Sequence, residues 1–239
     1  MEDEIYLIAD PHLNSKSDEV NELFAKFLRI FESSPSSKLI MLGDLFSNWI
    51  GIDDLLSDYQ KEIIKSLNNL KGNGKEIIFL EGNRDYFVEE LEETPFFFIG
   101  KNYKMEFKND TKILFEHGET INWKDRNYLL WSYITRTESV KSLLKILKKD
   151  FAKKLGEKLE EKLSRTNYEH KIEIPFDEIK NYAKSLREEN YTNLVLGHFH
   201  RSLEYEFYGV KVNLIDTFMN KGSFAIINSN GRIETRYVI

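Results

Sequence analysis

IYLIADPH, residues 5–12, carries the reading from which the rest follows: five apolar residues, two of them β-branched, run straight into Asp10, Pro11 and His12. A short apolar run of this kind suits a strand buried on both faces, and the abrupt change to polar residues marks its carboxyl end. Four more runs, at residues 39–42, 77–80, 113–115 and 194–196, repeat the design. They lead into Gly43-Asp44, Gly82-Asn83-Arg84-Asp85, His117-Gly118 and Gly197-His198-Phe199-His200. Between them lie stretches with helical spacing, Val20, Leu23, Phe24, Phe27 and Leu28 within residues 19–31, and Leu55, Leu56, Tyr59, Ile63, Ile64 and Leu67 within residues 53–70. Alternation of strand and helix predicts a largely parallel sheet. The tail after His200 alternates short apolar segments, residues 210–215 and 224–227, with Gly and Asn turns, which predicts a strand-rich second sheet. The expected architecture is an α/β sandwich of two mixed β-sheets flanked by helices, forming one domain over residues 1–239.

Ligands of open α/β sheets collect at the carboxyl ends of the strands, so polar groups spread from position 10 to position 200 are expected to converge. Taken singly, each has a local explanation. Asp before Pro starts turns, Asp44 after Gly can cap a helix, Gly-Asn is turn chemistry, and His beside Gly can close an element. Taken jointly they point to metal binding, because four of the five His, namely His12, His117, His198 and His200, fall just past a strand and only His170 does not. Seven candidate ligands, Asp10, His12, Asp44, Asn83, His117, His198 and His200, exceed what one ion needs and divide over two if a carboxylate bridges. Asp44, central in chain order, is the expected bridge. Imidazole with carboxylate or amide oxygen suits Mn, Fe or Zn, whereas an oxygen-only site would suit Ca or Mg. Two ions roughly 3.5–4 Å apart clamp phosphate oxygens and activate a water for in-line attack, so no protein nucleophile is required.

Composition sets limits around this reading. With 239 residues, 31% charged and 41% apolar, the chain is expected to be soluble and ordered, one domain with an insertion. Zero Cys excludes disulfides, thiolate metal sites and a Cys nucleophile. The acidic start and the five-residue apolar run resemble neither a secretory signal nor a spanning helix, so a cytoplasmic location is expected. A net charge of −6 argues against a nucleic-acid partner. The charge is uneven: residues 124–165 hold 12 Lys and Arg against 6 Asp and Glu, leaving −12 for the rest. This basic stretch lies in an expected helical insertion over residues 123–170, read as two or three helices forming a cap, after which a further helix is expected from Pro175 to about Glu189. Leu129, Leu130, Trp131, Ile134, Leu143 and Leu147 recur there at helical spacing beside Lys141, Lys145, Lys148 and Lys149. Two readings stand: a segment for an anionic membrane surface and acyl chains, or a helical hairpin packed on the core with solvated lysines.

The five blocks, Asp-x-His, Gly-Asp, Gly-Asn-Arg-Asp, His-Gly and Gly-His-x-His, resemble in order the signature of calcineurin-like metallophosphoesterases. The resemblance implies two divalent ions, manganese foremost with Fe, Zn or Mg as alternatives. Asp10, His12, Asp44 and His200 would hold one, and Asp44, Asn83, His117 and His198 the other. Asn83, Arg84 and His117 would be catalytic. Many members carry His after the Asn, where this chain has Arg84. GDLFSNWIG at 43–51, GNRDYF at 82–87 and HGETI at 117–121 are similar to the UDP-2,3-diacylglucosamine hydrolases of lipid A biosynthesis, which carry a helical lid between the His-Gly and Gly-His-x-His blocks. That likeness implies cleavage of a nucleotide-linked acylated sugar to UMP and 2,3-diacylglucosamine 1-phosphate (lipid X). It implies substrate contacts at Asn83, Arg84, Asp125, Tyr128, Ser164, Lys171 and His198, and a seat on the anionic cytoplasmic face of the inner membrane through the lid. Arg in place of His fits a phosphate leaving group, whose second pKa of roughly 6 lets it depart unprotonated. Arg84 would then hold phosphate oxygens, although an ion pair with a carboxylate such as Asp85 is the competing role. Two other functions remain open: a phosphoesterase for another monoester or diester, and a scaffold without catalysis, which should lack some ligands whereas all seven are present.

Overall fold

A computed structural model describes residues 4–107, 109–146 and 173–239. In chain order the elements are β1 (Ile5–Ile8), α1 (Asp18–Ser33), β2 (Lys38–Met41), β3 (Trp49–Ile50), α2 (Asp58–Gly72), β4 (Glu76–Leu80), β5 (Asp85–Tyr86), β6 (Phe98–Gly100), β7 (Asn102–Glu106) and β8 (Lys112–Glu116). There follow α3 (Arg126–Thr135), α4 (Glu138–Ile146), α5 (Phe176–Glu188), β9 (Asn193–Leu196), β10 (Leu203–Phe207), β11 (Val210–Leu214), β12 (Ser223–Ile227) and β13 (Ile233–Tyr237). Two sheets are stacked. One has the order β13-β12-β1-β2-β4-β6, the other β10-β11-β9-β8-β7, and β3 pairs separately with β5. Strands β1, β2, β4 and β6 run parallel, with β12 antiparallel to β1. In the second sheet β8, β9 and β11 are parallel, flanked by antiparallel β7 and β10.

Side chains on a strand alternate between faces, and here each face meets a different layer. Tyr6 and Ile8 of β1 pack with Phe24, Phe27 and Phe31 of α1, whereas Ile5 and Leu7 meet Ile113, Phe115 and Val195 of the other sheet. On the far side of the second sheet Leu114, Leu194 and Leu196 pack on Ile179, Ala183 and Leu186 of α5. The order helix, sheet, sheet, helix buries the central strands on both faces, which is why their sequences are continuous apolar runs.

The five expected strands are present, but they do not share one sheet: β1, β2 and β4 belong to the first, β8 and β9 to the second. The tail divides as well. β10 and β11 extend the second sheet, while β12 returns to β1 and buries Ala225 and Ile227 between the sheets. The helix expected over residues 53–70 starts later, because the Ser57 hydroxyl accepts from Gln60 N and the Gln60 side chain accepts from Ser57 N, a capping box that begins α2 at Asp58. A separate single turn, Asp53–Leu55, precedes it. Strands β6 and β7 were not expected: β7 alternates exposed and half-buried residues and so has no apolar run. Of the expected insertion, α3 and α4 are described; residues 147–172, with Ser164 and Lys171, lie outside the described residues. No helix among the described residues is long and apolar enough to cross a membrane.

Phe79 shows how tightly the first layer is packed: its buried ring stacks on Phe96 at 4.7 Å and meets the Trp49 ring edge-on at 5.4 Å. Phe79→Ala is expected to cost about 3–5 kcal/mol of stability, read as a lowered midpoint in denaturant unfolding.

Candidate metal centre

Four of the five motifs leave their strands through left-handed residues, the exception being Gly82-Asn83-Arg84-Asp85. Ten non-glycine residues among the described ones have positive φ, and five are expected ligands: Asp10 (51°), His12 (45°), Asp44 (52°), His198 (63°) and His200 (52°). Such conformations cost roughly 1–3 kcal/mol each and persist where surrounding contacts fix them. The contacts are visible. Asp10 N donates to Gly43 O at 3.3 Å and His12 N to Asp44 O at 3.0 Å, which lays the first motif along the second. Gly43, at φ 86°, lets the third and fourth motifs approach the second, since a Cβ there would lie 2.7 Å from both Gly82 N and His117 Nδ1. A Cβ on Gly82 would run into the Asp44 carboxylate.

The two carboxylates are held alike. Asp10 Oδ2 accepts from His198 N at 2.8 Å, and Asp44 Oδ1 accepts from Arg84 N at 2.8 Å. One oxygen of each is thereby tied to the backbone of another motif, and the other turns to a common space. Asp10 Oδ1 lies 3.3 Å from His200 Nε2, 3.8 Å from His12 Nε2 and 3.9 Å from His117 Nε2. Asp44 Oδ2 lies 3.9 Å from His12 Nε2 and 3.8 Å from His117 Nε2. His117 Nδ1 donates to Leu42 O at 2.5 Å, which aims Nε2 inward, where Asn83 Oδ1 is 3.2 Å away. The His198 ring lies 5.1 Å from that of His117, centroid to centroid. All seven side chains are brought together, with Asp10, His12, Asp44 and His117 buried and Asn83, His198 and His200 half-buried at the rim.

Asp10 Oδ1 tests whether a cation fits. It is buried, has no hydrogen-bond partner, and as an ionised oxygen can only accept. Metal bonds of about 2.0–2.2 Å separate neighbouring donor atoms by roughly 3.0–3.4 Å. His12 Nε2 and His200 Nε2 are 3.3 Å apart, as are His200 Nε2 and Asp10 Oδ1. Two of the three separations among Asp10, His12 and His200 match an ion and the third is 3.8 Å, and a second grouping forms at Asp10, Asp44 and His117. Asp10 is therefore the carboxylate common to both groupings, whereas Asp44, the expected bridge, belongs to the second.

Electrostatics agree with a site built for positive charge. Burial works against ionised Asp10, but His117, His200 and His12 outweigh it and hold the carboxyl well below the usual range. Burial likewise opposes a charged His117, yet the carboxylates of Asp44 and Asp10 raise it to about 9. Burial and the neighbouring His117 push His198 down to about 3.

Three contributors have roles that the sequence reading did not assign. Asp85, raised to about 8 by burial and by Asp44, accepts from Asp44 N at 2.7 Å and Gly82 N at 2.8 Å, so its carboxylate anchors backbone. The Thr217 hydroxyl donates to Asp10 O at 2.7 Å. Arg136, at the end of α3, donates to Gly82 O at 2.8 Å and Asp85 O at 3.2 Å. Asp85 could have been suspected from its motif; Thr217 and Arg136 carry no local signal. Of the expected substrate contacts on the insertion, Asp125 caps α3 by accepting from Tyr128 N at 3.0 Å, and Tyr128 is half-buried.

Proton and cation compete for His117 Nε2, so Mn2+ binding at pH 7 is expected to release a proton and to tighten as pH rises toward 9. Calorimetry in two buffers of different ionisation enthalpy counts the protons, and zero release at pH 7 removes His117 from the ligands. Gly43→Ala is expected to lower Mn2+ affinity at least tenfold by separating the motifs, read in the same titration.

Comparison with known proteins identifies the family and the fold. The family model for calcineurin-like phosphoesterases matches residues 4–209. Curated relatives named UDP-2,3-diacylglucosamine hydrolase include that of Wigglesworthia glossinidia brevipalpis, 28% identical over 92% of this chain and 89% of its own. The one from Photobacterium profundum is 26% identical over 96% and 95%. Among solved structures, an archaeal phosphodiesterase aligns with a TM-score of 0.50 at 16% identity, covering 98% of both chains. A Thermotoga maritima protein aligns with a TM-score of 0.51 at 14% identity, covering 98% of this chain and 99% of its own. These two share the fold. With the matched region spanning all five motifs, the chain belongs to the calcineurin-like phosphoesterases.

Proposed function

We propose that this phosphoesterase hydrolyses the pyrophosphate of UDP-2,3-diacylglucosamine to UMP and 2,3-diacylglucosamine 1-phosphate, using two divalent ions. The chemistry rests on one observation: a buried acceptor oxygen of Asp10 without a hydrogen bond, faced by three imidazole nitrogens. The substrate rests on the relatives, whose matches extend over nearly the whole chain, the insertion included. Asp10, His12, Asp44 and His200 would hold one ion, and Asp44, Asn83, His117 and His198 the other, with manganese the first candidate. When bound, such a pair polarises phosphate oxygens and lowers the pKa of a water for in-line attack.

The chain's own residues complete the reaction. Arg84 leaves the turn beside Asn83 and would grip phosphate oxygens, offsetting charge as the bond from phosphorus to the leaving oxygen lengthens. The water oxygen bonds to the phosphorus nearest uridine, and the sugar phosphate departs with the electron pair. Its second pKa of roughly 6 removes the need for a general acid. His198, low at about 3, stays neutral and is available as a ligand or phosphate contact. Asp125, Tyr128, Ser164 and Lys171 would line the approach for sugar and nucleotide. Leu130, Trp131, Tyr133, Ile134, Leu143 and Ile146 of α3 and α4 are exposed large apolar side chains, suited to acyl chains at an anionic membrane surface. The insertion would then act as a lid, and the protein as a peripheral one on the cytoplasmic face of the inner membrane.

Incubation with UDP-2,3-diacylglucosamine and Mn2+ in 18O-water is expected to give UMP carrying the label and an unlabelled lipid product, read by mass spectrometry. Label in the lipid phosphate would move the attack to the other phosphorus; no UMP alongside rapid turnover of a small diester would reject the substrate. Arg84→Ala is expected to lower kcat on the order of 10²-fold to 10³-fold with Mn2+ content unchanged.

A further inference from the structure

Arg136 is the one side chain of the insertion that bonds to the turn carrying Asn83 and Arg84, among the described residues. Its Nη2 donates to Gly82 O at 2.8 Å and Asp85 O at 3.2 Å, on either side of those two residues. Its Nη1 donates to the Ser132 hydroxyl at 2.6 Å, one turn back along α3, and its guanidinium lies 4.7 Å over the Tyr86 ring. The same turn is fastened elsewhere by contacts of the metallophosphoesterase core. Asp85 takes Gly82 N and Asp44 N, while Trp49 N donates to Arg84 O at 2.9 Å and Gly51 N to Tyr86 O at 2.8 Å. Gly82 and Asp85 are thus gripped from the core through the Asp85 carboxylate and from the insertion through Arg136.

We propose that Arg136 is a positioning residue: it ties the insertion to the Gly82–Asp85 turn and so fixes Asn83 and Arg84 in register with His117 and Asp44. A planar guanidinium anchored at Ser132 and stacked on Tyr86 can span two carbonyls, which a lysine ammonium on a flexible stem cannot do with the same geometry. The turn has little slack, because Asn83 Oδ1 must stay 3.2 Å from His117 Nε2 and Arg84 N must stay 2.8 Å from Asp44 Oδ1. A shift of about 1 Å in a reacting group can cost on the order of 10²-fold in rate. A second attachment lies farther along: Lys141 and Lys145 both bond Glu90, at 2.8 Å and 2.7 Å, without touching the turn itself. The proposal rests on Asn83 being a metal ligand, and the test separates the two ideas.

Arg136→Met, Arg136→Lys, Glu90→Gln and Asn83→Ala would be compared in the full-length protein for kcat and KM on the best wild-type substrate, for Mn2+ binding by calorimetry, and for Tm. Both Arg136 variants are expected to lose on the order of 10²-fold in kcat with KM within about threefold and to bind Mn2+ more weakly, while Tm stays near wild type and Glu90→Gln stays near wild type throughout. Wild-type kcat and Mn2+ affinity in Arg136→Met would overturn the proposal while leaving the metal reading intact if Asn83→Ala is impaired. Wild-type behaviour of Asn83→Ala would instead reject the metal reading, and the proposal with it. An equal loss in Glu90→Gln would assign the effect to seating of the insertion as a whole and reject the role of Arg136. Should Arg136→Met fail to fold, Ser132→Ala, which removes the 2.6 Å anchor, is expected to show a smaller loss of the same kind, and its absence rejects the proposal.

Discussion

Two carboxylates sealed from water beneath a ring of imidazoles set the terms for the rest of the molecule. Asp10 and Asp44 are buried, and buried ions cost several kcal/mol each unless opposite charge and hydrogen bonds compensate them. Backbone amides of His198 and Arg84 satisfy one oxygen of each. The remaining oxygens, with His12, His117 and His200 around them, are balanced by a proton on His117, for which a divalent cation can exchange. The left-handed residues at the strand ends follow from this demand, since only a sharp reversal delivers a side chain and a neighbouring amide to the same small volume.

The legible part of this arrangement was the part written in local chemistry. Five apolar runs, each buried on both faces, appear in the sequence as unbroken stretches, and the polar residues after them appear as motifs. Partner strands were harder to read. Whether residues 113–115 continue the sheet begun by residues 5–9 depends on packing between layers, to which an apolar run is indifferent, and so the second sheet was expected from the tail alone, without residues 113–115 and 194–196. β7 was invisible because an edge strand with one wet face needs no apolar run. The candidate ligands were legible because His, Asp and Asn declare their chemistry; Thr217 and Arg136 hold backbone carbonyls, contacts set by the tertiary fold that no local motif announces.

The insertion changes meaning between the two views. In sequence it is a basic helical stretch, readable either as a membrane surface or as solvated helices. In the structure its first two helices are bound to the core by cations placed along one side: Arg136 to the carbonyls of Gly82 and Asp85, and Lys141 and Lys145 to Glu90. Part of its positive charge therefore serves internal attachment, while Leu130, Trp131 and Ile146 remain exposed. The same contacts place α3 and α4 against the turn that carries Asn83 and Arg84.

The grip of Thr217 and His198 on Asp10 has a consequence for biosynthesis. Asp10 is made about two hundred residues before the amide and hydroxyl that orient it. Until then the amino-terminal strands can pair with one another while their acidic ends stay hydrated and unshaped. The candidate centre is therefore complete only once β9 and the segment after β11 have joined the fold.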